Sequence, residues 1–177
     1  MSVVADVTAA LRAEGIAHAL IGATALAVHG VSRATADVDF LTVDRRALDK
    51  GLWSGLEQRG ASLRVLRGDF DDPLAGSVRV SLPGEPSVDV IVGRQAWERE
   101  IVEAAETCSI GDVSVGVASP ADLVLLKLHA GGPKDAWDIR SLLESHSQAE
   151  SIRIEVDRRV LRLPPESRRL WDGLRGE

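Results

Sequence analysis

The chain is 177 residues long, which is the size of one domain or of one domain with a short appendage. Its hydrophobic content of 45% and charged content of 27% are typical of a globular protein with a core, and they exclude a disordered chain. A net charge of −6 argues against a general nucleic-acid binder. The single cysteine, Cys108, excludes an internal disulfide and a cysteine-rich zinc site.

The N-terminus shows no sign of a secretory signal, because it lacks a basic segment followed by an apolar one. An uncharged stretch over residues 16–31 falls short of the ~20 apolar residues that span a bilayer. We therefore expect no membrane segment. Together with the single cysteine, these features predict a protein of the reducing cytoplasm.

The first half of the chain alternates between helical and strand patterns. In chain order the spacing predicts a helix over 3–13, a buried strand over 16–21, a short helix over 23–29, a strand over 37–43 and a helix over 45–59. Gly22 marks the turn between the first strand and the helix that follows it. Strands are then predicted near 62–66, 77–82 and 87–92, a helix over 97–105, and a hairpin around Gly111-Asp112.

The character of the chain changes at Ser119, where Ser-Pro-Ala-Asp is typical of a helix start, and helices are predicted from there to the end. The Pro83-Gly84 turn makes the strands before and after it an antiparallel pair. The expected fold class is α+β, with a mixed or antiparallel sheet flanked by helices and a helical C-terminal part. We expect an α/β core over residues 1–118, and residues 119–177 packed on it within one structural domain.

Three acidic residues lie on predicted strands. Asp37 and Asp39 are two residues apart, so both carboxylates emerge on one face of their strand. Asp89 lies in an otherwise apolar strand, where an unpaired acid is costly. If the two strands are neighbours, three carboxylates converge, which suits Mg²⁺ and in-line phosphoryl transfer. The alternative is that Asp37 and Asp39 lie on a solvated face and Asp89 on an edge strand.

These acids belong to a longer pattern. Leu20-Ile-Gly22-Ala23, Asp37-Val-Asp39 and a later Asp89 resemble the nucleotidyltransferase superfamily, with its minimal polymerase-beta-like fold. The whole string from Ile21 to Asp39 looks like the small nucleotidyltransferases related to abortive-infection toxins. The resemblance implies that the three acids bind Mg²⁺, and that an NTP lies near the turn at Gly22. One departure is that Ala23 replaces the usual Gly or Ser, which leaves Thr24 as a weak substitute for a hydroxyl.

Lysine is scarce in this chain, and two of the three lysines fall in one C-terminal string. Lys127 has apolar neighbours on its helix, so it is either a phosphate-binding charge or a snorkelling lysine. The resemblance implies that Lys127 contacts the triphosphate and that Lys134-Asp135 matches the Lys-Asp pair of the family. Asp135 is alternatively an N-cap with Asp138 at N3. Arg33 is either a phosphate contact or an ordinary loop arginine.

These residues predict a Mg²⁺-dependent nucleotidyltransferase that transfers an NMP from an NTP to an acceptor hydroxyl. Asp37, Asp39, Asp89 and Lys127 are the expected catalytic residues. The resemblance implies a toxin–antitoxin or phage-defence setting, a tRNA or protein acceptor and a cognate antitoxin. The alternatives are an aminoglycoside-type small-molecule enzyme and a non-catalytic binding module. Residues 151–177 carry seven arginines and five acids, which form either a basic RNA-binding face or a salt-bridged surface.

Overall fold

The computed structural model describes residues 2–32 and 34–175. Helix α1 (Val3–Ala13) has the predicted bounds. Its N-terminus is capped by Ser2, whose hydroxyl accepts a hydrogen bond from the Ala5 amide. Val3, Val7 and Leu11 are spaced along one face of the helix, and all three are buried.

The other elements follow the predicted order of strands first and helices last. They are β1 (Ala19–Ile21), α2 (Gly22–Val28), β2 (Asp37–Thr42), α3 (Ser54–Gln58), β3 (Ser62–Arg67), β4 (Gly76–Ser81), β5 (Ser87–Val92), α4 (Ala96–Ala104), β6 (Glu106–Ile110), β7 (Val113–Val117), α5 (Pro120–Ala130), α6 (Pro133–Ser145), α7 (Ala149–Arg159) and α8 (Pro165–Leu174). None of the helices in the described part of the chain is long and apolar enough to cross a membrane.

The seven strands form one mixed sheet in the order β3-β4-β5-β2-β1-β7-β6. Two neighbouring pairs, β2–β5 and β1–β7, are parallel, and the other four pairs are antiparallel. The predicted pairing of β4 with β5 and the hairpin of β6 with β7 are therefore both confirmed. The predicted α+β fold class is also confirmed.

Several predicted elements differ from the structure by one residue at an end, and two differ by more. The first strand begins at Ala19 and not at residue 16. The predicted helix over 45–59 is two 3₁₀ helices, Arg45–Leu48 and Lys50–Trp53, followed by the short α3. Asp44 and Asp49 each accept a hydrogen bond from a backbone amide two residues ahead, so each side chain starts a new turn where one helix was predicted to continue.

The described residues form two compact units. The first unit comprises residues 2–24 and 34–118 and contains the sheet, and the second comprises residues 25–32 and 119–175 and contains the C-terminal helices. In the second unit, Asp122 is almost fully buried, accepts a hydrogen bond from the Ser119 hydroxyl and pairs with Arg159 at 2.6 Å. That ion pair joins the first turn of α5 to the last turn of α7. The grouping of both parts into one structural domain stays a prediction.

Candidate active site

The parallel pairing of β2 with β5 brings the three acidic residues to one face of the sheet. Asp39 and Asp89 are register partners, and Asp37 lies two residues before Asp39. Register partners in neighbouring strands point to the same face, as do residues two apart in one strand. The prediction that the two acid-bearing strands are neighbours is confirmed, and the alternative with Asp89 on an edge strand is wrong because β5 lies between β2 and β4.

The turn after β1 lies against one of these acids. Ile21 is the register partner of Asp39, so Gly22 follows directly beside the Asp39 side chain. Gly22 has φ +68°, and a Cβ there would lie 2.0 Å from Asp39 Oδ2. Only glycine fits this position, for both backbone and steric reasons. The next residue, Ala23, is buried, whereas Thr24 is half-buried.

An arginine that the sequence analysis missed lies among the acids. Arg79 on β4 is the register partner of Asp89. Its Nε donates to Asp89 Oδ1 at 2.8 Å, its Nη2 donates to Asp89 Oδ2 at 2.5 Å, and Nη2 also reaches Asp37 Oδ2 at 3.2 Å. The hydrogen bonds to Asp89 and then its charge raise the pKa of Arg79 further above its ordinary value. We call Asp37, Asp39, Asp89 and Arg79 the sheet cluster.

The three acids fit a divalent metal by chemistry, because Mg²⁺ prefers carboxylate oxygens. Within residues 2–32 and 34–175, however, no group of three or more His, Cys, Asp or Glu side chains is arranged to hold a metal ion. In this arrangement both oxygens of the Asp89 carboxylate accept hydrogen bonds from one edge of the Arg79 guanidinium. The donor set therefore suits a metal only if Arg79 moves away from it.

The second unit contains a separate group of charged side chains. Lys127 Nζ lies 2.8 Å from Asp135 Oδ1 and 2.6 Å from Asp138 Oδ2, and Asp138 is 1% exposed. Burial by itself lowers the pKa of Lys127, but the hydrogen bonds and charges of Asp135 and Asp138 outweigh burial and raise it. We call these three residues the helix cluster. Sequence reasoning placed Lys127 among apolar neighbours and gave Asp135 and Asp138 other roles, so it missed their pairing with Lys127.

The start of α6 differs from its predicted capping. Gly132 is the N-cap and Asp135 is the N3 residue, whose carboxylate accepts a hydrogen bond from the Gly132 amide. The predicted assignment of Asp135 as N-cap and Asp138 as N3 is therefore wrong by three positions. Lys134 is exposed. Arg33 lies outside the described residues.

The C-terminal arginines mostly have partners within the chain. Arg159 pairs with Asp122 and Glu155, Arg158 lies 3.8 Å from Glu155, and Arg175 pairs with Asp157. Arg168 donates to two backbone carbonyl oxygens. These contacts favour the salt-bridged surface over a free basic face for RNA.

A cavity of about 450 Å³ lies beyond the carboxyl ends of β2 and β5. Its lining residues are Val43, Arg45, Gly93, Arg94, Gln95, Ala96 and Arg99. None of the predicted site residues lines it. The Arg94 guanidinium donates to the backbone carbonyls of Gly68, Asp69 and Phe70, so that arginine is engaged by the loop that follows β3.

This sheet, with Asp-x-Asp on one strand and a third Asp on its parallel neighbour, defines a fold of the nucleotidyltransferase type. The solution structure of the antibiotic-resistance factor ANT(2'')-Ia is similar, with 15% identity, a TM-score of 0.55 and 90% of each chain covered. ANT(2'')-Ia in complex with adenylyl-2''-tobramycin has 18% identity, a TM-score of 0.55, and 88% of this chain and 94% of that chain covered. An antigenic nucleotidyltransferase-like protein from Paracoccidioides brasiliensis has 21% identity, a TM-score of 0.51, and coverages of 95% and 90%.

The family is shown by a sequence match over most of the chain. The family model described as "Nucleotidyl transferase AbiEii toxin, Type IV TA system" matches residues 7–168, and the protein belongs to this family. No curated protein sequence matches the chain. The predicted resemblance and the predicted enzyme class are thereby confirmed: the chain is a nucleotidyltransferase of a toxin–antitoxin family.

Proposed function

We propose that this enzyme transfers an NMP from an NTP to an acceptor hydroxyl. The acceptor oxygen attacks the α-phosphorus, the bond from that phosphorus to the bridging oxygen breaks, and pyrophosphate leaves. The observation that carries this proposal is the pairing of Asp39 with Asp89 in the parallel β2–β5 register, with Asp37 on the same face. Three carboxylates on one face are the donor set that this reaction needs.

Asp37, Asp39 and Asp89 would hold Mg²⁺ once Arg79 has moved. The metal would supply positive charge to the triphosphate and the leaving group. Asp89 would accept the proton of the acceptor hydroxyl, because a carboxylate at this position is a general base of the required kind.

Two sets of residues are proposed nucleotide contacts. Backbone amides at Gly22, Ala23 and Thr24 are the proposed donors to phosphate beside Asp39. Lys127, Lys134 and Asp135 are proposed contacts on the basis of the family resemblance, and Arg33 is proposed because it precedes the acids in the sequence. The helix cluster supports a fixed position for the ammonium group of Lys127, because its two aspartate partners hold that group in place.

The proposed acceptor class is supported by the family and not by the geometry of the sheet. Because the family is one of type IV toxin–antitoxin systems, we propose tRNA or a protein side chain in the cytoplasm as the acceptor, with a cognate antitoxin as partner. A small-molecule acceptor is the second candidate, because ANT(2'')-Ia, a structure of similar fold, was solved with adenylyl-2''-tobramycin. The third candidate is a module that binds a nucleotide or a partner without catalysing transfer, which is suggested by Ala23 in place of the usual Gly or Ser.

The test is transfer of label from each of the four α-labelled NTPs in the presence of Mg²⁺. Purified tRNA, a cell protein extract and an aminoglycoside are supplied in separate reactions. We expect label in the tRNA or the protein fraction, and none with Asp39→Asn. Label in the aminoglycoside alone would favour the small-molecule enzyme. No transfer by folded protein in any reaction would leave the non-catalytic module as the better account.

A further inference from the structure

Arg79 occupies a defined place in a row of charged residues across the sheet. The registers Asp39–Asp89 and Asp89–Arg79 put one residue of each of three neighbouring strands at the same level. The guanidinium then engages both oxygens of Asp89 and one oxygen of Asp37. Arg79 is therefore a cation held directly against two of the three carboxylates assigned to the metal.

A guanidinium and a metal ion compete for these oxygens. Metal ligation requires carboxylate oxygens at about 2.0 to 2.6 Å from the ion, whereas Arg79 nitrogens already lie at 2.5 and 2.8 Å from the two Asp89 oxygens. Two cations in contact with the same carboxylate also repel each other. Binding of one must weaken binding of the other.

Several features indicate that Arg79 can leave. Its side chain is 46% exposed and that of Asp37 is 39% exposed, so water can solvate the guanidinium and Asp37 once they separate, whereas Asp89 is 16% exposed and needs a replacement cation. Ion pairs of an arginine this exposed contribute little to stability. On the side away from Asp89, the register partner of Arg79 is Arg64, which is exposed and whose side chain has no ion pair among the described residues. Within residues 2–32 and 34–175, no ion pair therefore fixes the guanidinium on that side.

We propose that Arg79 is an exchangeable counter-ion of the active site. In the metal-free enzyme it neutralises and orders Asp89 and Asp37, and it withdraws when a divalent cation binds. The proposal rests on the function proposed above, because it assumes that these acids hold the metal. Its consequence is that free metal binds more weakly to this site than to the same three acids without the arginine.

The experiment is a calorimetric titration of Mg²⁺ into the enzyme without nucleotide. Arg79→Gln removes the competing charge, Arg79→Lys keeps the charge but loses the two-point contact, and Arg64→Gln is the matched control on the neighbouring strand. We expect Arg79→Gln to bind Mg²⁺ about fivefold more tightly, which corresponds to loss of ~1 kcal/mol of competition. Arg79→Lys should lie between this variant and the wild type, and Arg64→Gln should equal the wild type.

A second measurement follows Arg79 itself in the wild-type protein by NMR spectroscopy. The Nε–H resonance of Arg79 is assigned by its absence in Arg79→Lys and is then followed in the wild type as Mg²⁺ is added. We expect it to lose the signature of a hydrogen bond to carboxylate at saturating metal. A resonance that stays unchanged while the metal binds would overturn the exchange.

The outcomes separate this proposal from the function on which it rests. Equal or weaker Mg²⁺ binding by folded Arg79→Gln overturns the exchange and leaves the metal site in place. No binding by the wild type or by any folded Arg79 variant also overturns the exchange, whereas the proposed function itself is overturned only if the folded wild type gives no Mg²⁺-dependent label transfer from any NTP. Circular dichroism spectra establish that each variant is folded before it is titrated.

Discussion

The sheet cluster and the helix cluster both neutralise neighbouring aspartates, but in two different environments. In each, one basic side chain is shared by two aspartates: Arg79 by Asp37 and Asp89, and Lys127 by Asp135 and Asp138. In the sheet cluster the cation itself is accessible, with Arg79 46% exposed although Asp89 is only 16% exposed, whereas in the helix cluster the cation Lys127 is 13% exposed and Asp138 is 1% exposed. A cation in water-accessible surroundings can be exchanged at low cost, whereas a buried one cannot, because its partner would be left charged and unsolvated.

This difference suggests different roles for the two clusters. The open cluster has the properties of a site whose cation changes during the reaction. The buried cluster has the properties of a fixed support that joins the end of α5 to the start of α6. Four substitutions or conditions test this contrast.

The largest effect is expected for Asp89→Asn in the sheet cluster. Loss of this ligand and base should reduce label transfer by about 10³-fold, whereas the free energy of unfolding should change by about 1 kcal/mol or less because the ion pair is partly exposed. Transfer assays and urea unfolding measure the two quantities. Asp112→Asn, in the exposed turn between β6 and β7, is the control and should alter neither. An active Asp89→Asn enzyme would remove Asp89 from the site.

A large loss of stability is expected for Lys127→Met in the helix cluster. It leaves Asp138 buried without its cation, so the free energy of unfolding should fall by about 3 kcal/mol. The double variant Lys127→Met/Asp138→Asn should regain part of this loss, because the buried charge is gone. Chemical unfolding of the single and double variants measures the coupling. The exposed Lys134→Met is the matched control, and a single variant as stable as this control would mean that the helix cluster is not a support.

A smaller effect on stability is expected for Arg79→Gln. Without metal, its free energy of unfolding should fall by about 1 kcal/mol or less, since the guanidinium is nearly half exposed. The same thermal or urea unfolding measurement on Arg64→Gln gives the baseline for loss of a strand arginine. If Arg79→Gln were as destabilised as Lys127→Met, the contrast between an exchangeable and a fixed cation would be lost.

The smallest effect is a difference between the clusters at alkaline pH. The pKa of Lys127 is raised above its ordinary value of 10.5. Its contribution to stability is therefore complete below 10.5 and is lost as the pH rises through the raised folded value. Arg79 stays charged throughout this range. Urea unfolding at pH 9, 10 and 11 measures this effect. Above pH 10.5 the wild type should lose stability relative to Lys127→Met/Asp138→Asn. Free energies of unfolding that change in parallel with pH would contradict the prediction.

Much of the fold was predictable from local patterns. The bounds of α1, the order of strands before helices and the β4–β5 pairing follow from side-chain spacing and turn residues. The helix predicted over 45–59 was wrong because Asp44 and Asp49 cap their own short turns, and a short polar side chain in a helical pattern leaves both outcomes open. The first strand was predicted too long because its three residues, Ala19–Ile21, continue an uncharged run that begins before the strand.

Arg79, and the pairing of Asp138 with Lys127, were missed for a common reason. Each is recognised as part of a cluster only when a register or a turn geometry is known. The β4–β5 hairpin offered a signal, since counting outward from its turn puts Arg79 near Asp89, but a shift of one residue would turn the side chain to the other face. Asp138 lies eleven residues after Lys127, beyond the Gly131 turn, and no helical spacing links the two.

The sequence by itself determined the local placement of the three acids: two aspartates two residues apart on one strand, a third on another strand, and a glycine turn ahead of them. Those properties are local, because the period of a strand and the backbone freedom of glycine do not depend on distant residues. Only the tertiary structure decided which cations neutralise these and other aspartates. Ion pairs form between side chains that strand register and helix packing bring within 4 Å. Neither the register nor the packing is encoded in the spacing of residues along the chain.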